Sequence, residues 1–571
     1  MVVSSGGRLS CVAIMVAVLW GCTPQPGNPA DQPPDGAVPA GDETGLGAYL
    51  EGRYAQSHGD TRAAAEYYEI AAKRDPDNMD LQQRAFTLLL AEGRLEEAVP
   101  MAERLRALDE DAPLPALMMG IRAARDGNFA TAEAQFAILP HKGINGFLGP
   151  LLTAWSLVGQ KNFDGAMKAL ALGHDTVGFT PIYEFHAGLI ADLAGKSDLA
   201  EQHFRATLAS QTSVRTVEAV GAFYQRAGRM DAARELYLRY LADHGDRSLL
   251  DGRVQLAAGA KLPRTVDSAT DGLAEAMFDT ASLVRQGNAN DLVLVFSRLA
   301  LALRPNFPLA QLLVADTLGQ QNRLTEANAI YAAIDKTSQA SGFARMRLAL
   351  NQDDAGDTDA AIDALKALAA ERADSLDALV SLGDILRRHK RFPEAADVYS
   401  QAIARAQHLG EAPGWPLYYA RGIALERSHR WPRAEADFLE ALRLQPDQPD
   451  VLNYLGYTWV DLGLNLDRAR RMIERAVELR PKDGAIVDSL GWALYRLGDF
   501  QSAVKVLERA TELKAEDPTI NEHLGDALWR VGRLDEARYQ WQRAMTLDPE
   551  PEQIEGLKAK ISSGQLPAAK P

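Results

Sequence analysis

Cysteine is nearly absent: 571 residues contain two, Cys11 and Cys22, both near the start. Neither a disulfide framework nor a cysteine-bound zinc site can therefore organise the rest of the chain. Positive charge is also short, with 61 Lys and Arg against 77 Asp and Glu, a formal net charge of −16. Binding by phosphate neutralisation needs a concentrated basic surface, so nucleic acid is not an expected partner. Catalytic signatures are missing as well. There is no His-Glu-x-x-His, no Gly-x-Ser-x-Gly, no Walker-type phosphate loop and no Gly-x-Gly-x-x-Gly opening a helix after a strand. The ten histidines are scattered, and His58, His389 and His429 fall where turns are expected. No catalytic, metal or cofactor-binding residue is assigned, and no cofactor is expected. Long apolar runs are lacking too: the one candidate, Leu9 to Trp20, is shorter than the roughly 20 residues that span a bilayer. What the chain does have is material for a core. It is 47% hydrophobic and 24% charged, close to the usual globular values of about 45–50% and about 25%.

That apolar run follows a single positive charge, Arg8, and ends at Cys22, which is the profile of a secretory signal. Leu19-Trp20-Gly21-Cys22 resembles the lipobox of bacterial lipoproteins, with Leu three places before Cys and a small residue directly before it. It departs from the pattern at Trp20, where a small residue is usual. The resemblance implies removal of residues 1–21 and acylation of Cys22 as the new first residue. The alternative is cleavage at a later small-residue site near Ala40, leaving a soluble periplasmic protein. Residues 22–44 are rich in Pro, Gly, Asp and Gln and read as a solvated tether, with an r.m.s. span of about 25 Å. Thr23 stands where Asp would be the inner-membrane retention signal of some bacteria. By that lipoprotein rule the address is the periplasmic face of the outer membrane.

From Gly45 onward one pattern recurs about every 34 residues. Leu490, Leu494 and Leu497 share a helical stripe, Gly498-Asp499 interrupts it, and Ala503, Leu507 and Ala510 begin a second stripe. Each unit thus reads as helix, tight turn, helix. Gly491, Ala503 and Ala510 are small where the two helices approach, and Pro481 and Pro549 sit where the second helix ends. The pattern resembles the tetratricopeptide repeat. The resemblance implies an all-α fold, an α-solenoid superhelix of about fourteen helix-turn-helix units, stable because each unit stacks on its neighbours. The clearest copies are Gly45–Asn78, Trp415–Gln448, Pro449–Asp483, Gly484–Asp517 and Pro518–Pro551. The division read from the sequence is an N-terminal array over 45–247, an irregular junction over 248–273, a C-terminal array over 274–551, and a capping helix with a tail over 552–571. Gly410–Gly414 reads as a loop inserted between units.

The candidate binding surface is the stripe opposite the core stripe on the first helix of each C-terminal unit. It comprises Asn453, Tyr457 and Asp461; then Asp488, Trp492, Tyr495 and Arg496; then Asp526, Trp529 and Arg530, with Glu522 beside them. In the tetratricopeptide family this stripe lines the concave surface, where peptides or helices are held. Rings supply buried area there and charges fix orientation. A second reading has Trp492 and Trp529 packing on the next unit while the polar residues are solvated. The lysines of the family's carboxylate clamp are absent, and Asn453 is one place out of its register.

The function expected is a non-catalytic scaffold, tethered to the membrane through Cys22 and binding other proteins of the cell envelope. An alternative is a regulatory lipoprotein that activates one periplasmic enzyme in trans. A repeat-bearing glycosyltransferase is disfavoured, because no segment is left for a sugar-nucleotide domain.

Overall fold

The computed structural model describes residues 44–564, apart from 174–177, 211–212, 245–258, 260–261, 288, 339, 374 and 411, together with residue 566. The signal segment, Cys22 and nearly all of the tether lie outside the described residues, as do 248–258 and 260–261 of the junction and 567–571 of the tail. Among the described residues all regular structure is helical: 29 α-helices and no strand. They form fourteen consecutive hairpins, numbered from the first, followed by a single helix, Pro551–Ser563.

The hairpin follows from local chemistry. Many helices begin at an Asp or Asn whose side chain accepts a hydrogen bond from the first free N–H groups, as Asp60 does from Ala63 and Asp499 from Ser502. The turn between helices needs one left-handed residue. Gly127 supplies it at φ 80°, whereas Lys161 and His429 are held at φ 62° and 60° in the equivalent places. Between the two helices of a hairpin, a glycine on the first meets a large side chain sixteen residues later on the second. The pairs include Gly120 with Phe136, Gly188 with Phe204, Gly383 with Tyr399, Gly422 with Phe438 and Gly525 with Trp541. A methyl group on Gly120 would lie 2.3 Å from a Phe136 ring carbon, so only hydrogen fits there. All five of these large side chains are buried.

Stacking then builds the array, with one departure from an open superhelix. The seventh hairpin, helices Ala269–Arg285 and Asn290–Leu303, packs against the first helices of hairpins two to five. It fills the inner face of the N-terminal array. One apolar core runs from Phe86 to Ala344, taking in Leu273, Met277, Val293, Leu294 and Leu299 of this hairpin, all fully buried. Two polar links fix the insertion, and a third joins the eighth hairpin to the first two. Buried Trp155 donates Nε1–H to Nδ1 of His186 at 2.8 Å, and His186 Nε2 reaches Asp279 at 3.0 Å. Glu275, buried, is held by Arg215 and by Arg304 at 3.2 Å. Arg323, from the eighth hairpin, makes a two-pronged pair with Glu92 at 2.7 and 2.5 Å and also meets Thr61 and Glu326.

The helix expected to start at Ala274 therefore starts at Ala269, inside the interval read as irregular. Gly272, which reads as a breaker in the sequence, lies in that helix against the indole of Trp155, where a methyl group would come within 2.1 Å. Gly410–Gly414 falls between the helices Phe392–His408 and Trp415–Arg427, in keeping with an insertion. The C-terminal hairpins curl so that Lys390, at the turn of the tenth, lies 3.6 Å from Glu550 at the start of the last helix.

Two substitutions test this packing. Gly120→Ala should lower stability by about 1–3 kcal/mol through overpacking against Phe136. His429→Gly, which relieves the left-handed turn, should raise it by about 1 kcal/mol. Shifts of the urea midpoint in opposite directions are the expected result; equal or absent shifts would contradict it.

Candidate functional site

The stripe read from the sequence is assembled by three neighbouring first helices, Pro449–Asp461, Gly484–Arg496 and Pro518–Arg530. Stacking places them side by side, so residues of neighbouring hairpins meet across the stripe, as Arg496 does with Asp461 and His523 with Asp488. Trp492 stacks with Tyr495 at a centroid distance of 4.8 Å and 8° between planes, and with His523 of the next hairpin at 4.1 Å and 14°. Asp488 is buried, and His523 Nδ1 lies 3.0 Å from both of its oxygens. Burial alone would push the His523 imidazole down. The Asp488 carboxylate, with Asp526 and Glu522 behind it, more than offsets this and holds the pKa above the ordinary histidine value.

Farther along, the last helix takes up the carboxylates. Lys560 donates to Glu522 at 2.7 Å and to Asp526 at 2.8 Å, while Trp541 Nε1–H donates to the other Asp526 oxygen at 2.8 Å. Burial would lower the Lys560 ammonium, but the two carboxylates reverse this and hold it above its usual value. Trp529 donates Nε1–H to the carbonyl of Gly564 at 3.1 Å. Asp526 and Trp529 therefore serve the junction with the capping helix, as the packing alternative had it for Trp529.

Of the remaining stripe residues, Asp461, Arg496 and Arg530 face outward. Arg496 and Asp461 are both exposed, and Arg496 Nη1 reaches the Asp461 carbonyl at 3.2 Å and its carboxylate at 3.5 Å. Arg530 lies over the ring of Phe500 at 4.0 Å and that of Tyr495 at 5.9 Å. Asn453 and Tyr457 are half-buried. Burial, with Asp488 and Asp461 nearby, pushes the Tyr457 hydroxyl up. Two polar atoms are buried without a partner, the Asn453 side-chain carbonyl and the Trp492 Nε1–H. Each such orphan costs about 1–3 kcal/mol unless something supplies the bond.

The arrangement offers ring edges, charge and hydrogen-bonding groups along a curved surface. Among the described residues no group of three or more His, Cys, Asp or Glu is placed to hold a metal ion. No described helix is long and apolar enough to cross a membrane. His523 and Lys560, which couple the stripe to its neighbours, escape the sequence reading because they stand on the stacking faces, where the pattern gives small or apolar residues.

The tetratricopeptide repeat family profile matches residues 49–113, 346–409, 419–484 and 489–550. Those four segments, rather less than half of the chain, match the tetratricopeptide repeat. A stretch of 87 residues is 37% identical to a tetratricopeptide repeat-containing protein of Pseudomonas aeruginosa, covering 15% of each chain. Among solved structures, yeast Tom70 is similar over 91% of this chain and 95% of its own, at 14% identity and a TM-score of 0.33. The PilF protein of Pseudomonas aeruginosa is similar over 34% of this chain and 85% of its own, at 15% identity and a TM-score of 0.29. Tetratricopeptide repeats generally mediate protein–protein interaction, and the described residues here form an all-helical array of helix-turn-helix hairpins.

The repeats of the C-terminal end predict a pH response. A histidine whose folded-state pKa is raised contributes stability that is fully present below its unfolded value, about 6.5. That contribution is lost as pH rises through the folded value. The thermal midpoint of the wild type should therefore fall from pH 6 toward pH 9, relative to Asp488→Asn, in which the raising partner is gone. Parallel midpoint curves for the two proteins would remove His523 and Asp488 as the source.

Proposed function

We propose that the protein is a membrane-anchored interaction scaffold of the bacterial envelope, which holds polypeptide partners on the inner face of its C-terminal repeats. The observation that carries this reading is the insertion of the seventh hairpin. It fills the inner face of hairpins two to five with the chain's own core, which leaves the C-terminal stripe as the inner surface open to a partner. Asn453, half-buried at that surface, and the exposed carboxylate of Asp461 are placed to accept the N–H groups that an incoming main chain offers. Arg496, Arg530 and Tyr457 beside them supply charge and ring area. The lipobox-like Leu19-Trp20-Gly21-Cys22 and the tether after it support anchoring to the outer membrane with the repeats in the periplasm. Such a tether confines the scaffold near the membrane and raises the effective concentration of partners held there.

Two experiments test the two halves of the proposal separately. Asn453→Ala combined with Tyr457→Ala should reduce crosslinked partner capture in native envelopes about tenfold or more, a loss of roughly 1.4 kcal/mol, with far-UV helicity unchanged. Capture at wild-type levels would move the partner site elsewhere. Cys22→Ser should shift the protein from the membrane fraction to the soluble periplasm and abolish fatty-acid labelling. Unaltered fractionation would reject the lipid anchor while leaving the binding surface in play.

A further inference from the structure

The first helices of hairpins nine to fourteen end, in order, on Asp354, Arg388, Arg427, Asp461, Arg496 and Arg530. Stacking sets these residues in a row where each first helix runs into its turn, and Asp461, Arg496 and Arg530 are also members of the stripe. The order of charge, one Asp and then two Arg, occurs twice. A cation is favoured at a helix C-terminus and an anion is not. Each Asp is accordingly met by the Arg after it: Arg388 Nη1 lies 3.2 Å from Asp354, and Arg496 Nη1 lies 3.5 Å from Asp461.

The second Arg of each set has only a like charge before it. Arg427 and Arg530 are exposed, and among the described residues no carboxylate pairs with either. Each lies instead over the phenylalanine that opens the second helix of the preceding hairpin, Arg427 over Phe392 at 5.3 Å and Arg530 over Phe500 at 4.0 Å. A guanidinium resting its face on a ring is held in place, while the N–H donors in its plane stay available. Two such forks, ordered and without a carboxylate in a chain of net charge −16, are complementary to carboxylates brought by a partner.

Between them the row carries apolar surface. The turn of the twelfth hairpin, 462–465, is one residue longer than those of its neighbours, 428–430 and 497–499. Directly after Asp461 it presents Leu462 and Leu464, 48% and 42% exposed. From the eleventh hairpin to the fourteenth there are three stacking steps of about 8–10 Å each. An extended chain covers that reach, roughly 30 Å at most, in about nine residues. A phosphate backbone does not suit the row, because its unbroken charge would meet Asp461 in the middle.

We propose that this edge takes an extended polypeptide segment with two acidic residues about nine apart and an apolar residue between them. The carboxylates seat on Arg427 and Arg530, and the apolar side chain seats on Leu462 and Leu464. The inference names the chemistry of the partner for the function proposed above and rests on that reading.

The test selects a random 12-residue peptide library, displayed on phage, against the immobilised full chain. Each peptide is fused to the coat protein through its C-terminus, so no terminal carboxylate is present. Recovered peptides should be enriched roughly tenfold or more in acidic pairs of the stated spacing with an apolar residue between. In fluorescence anisotropy, Arg427→Gln, Arg530→Gln and replacement of the peptide's acidic residues by their amides should each raise the Kd of a recovered peptide roughly tenfold. Arg468→Gln should leave it unchanged; that arginine is also exposed and lies over a ring, Trp459 at 5.0 Å, but stands outside the row. Recovered peptides without acidic pairs, bound independently of Arg427 and Arg530 but lost with Asn453→Ala and Tyr457→Ala, would overturn this inference and keep the scaffold reading. Recovery of no peptide would overturn both. Flotation of the Cys22→Ser chain on phosphatidylglycerol vesicles that depends on Arg427 and Arg530, with no acidic peptide recovered, would give the row to lipid and overturn the proposal.

Discussion

The fold rests on one close approach, repeated along the chain. A glycine on the first helix of a hairpin accepts the face of a ring from the second, as Gly188 does from Phe204 and Gly422 from Phe438. The missing Cβ lets the two helices come near enough for the ring to close the gap. Where the ring is replaced, as by Leu507 opposite Gly491, a branched aliphatic group fills the same space. Because each hairpin is closed internally in this way, its outer surfaces are left apolar and must be covered by the next unit. Superhelix, inner face and capping helix all follow from that need.

The same need explains the seventh hairpin. The first helices of hairpins two to five turn side chains such as Trp155 toward the seventh hairpin, where the chain supplies its own cover. Polar groups then decide how the cover seats. His186 can accept from Trp155 and donate to Asp279 only in one tautomer, the one with its proton on Nε2. Glu275 is fully buried and held by two arginines, and removal of either would leave a desolvated charge short of a partner. Such links add little net stability to a well-packed core, but they penalise any other seating.

Much of this was legible in the sequence and some was not, for physical reasons. The hairpins could be read because their determinants are local: Leu490 and Leu494 at helical spacing, Gly498 at the turn, Ala503 and Leu507 on the return helix. The count of fourteen units agrees with the helices found. The inserted hairpin was illegible because its contacts are remote. Asp279 and His186 are 93 residues apart and leave no periodic trace. Gly272 reads as a breaker when only its neighbours in sequence are considered, and becomes a helix residue once Trp155 needs room. In the stripe, helical geometry groups Asp488, Trp492 and Tyr495 on one side. It did not reveal that Asp488 and Asp526 would be claimed by His523 and Lys560, since those partners belong to the following units.

These claims order the C-terminal end. Asp488 receives His523 from the next hairpin, and Glu522 and Asp526 receive Lys560 from the capping helix. In each case a carboxylate on one first helix is matched by a nitrogen group, the His523 imidazole or the Lys560 ammonium, on the stacking face of the helix after it. A carboxylate buried in this way is tolerable only while the following unit is in place, because without it a desolvated charge has no partner. The direction of the pairing therefore makes each unit depend electrostatically on its successor, and the last unit on the capping helix. A shift of one hairpin in the stacking order would bring Ser489 or Tyr454, neither of them an imidazole, to the place of His523. The apolar faces alone would tolerate such a slip; the buried carboxylates do not.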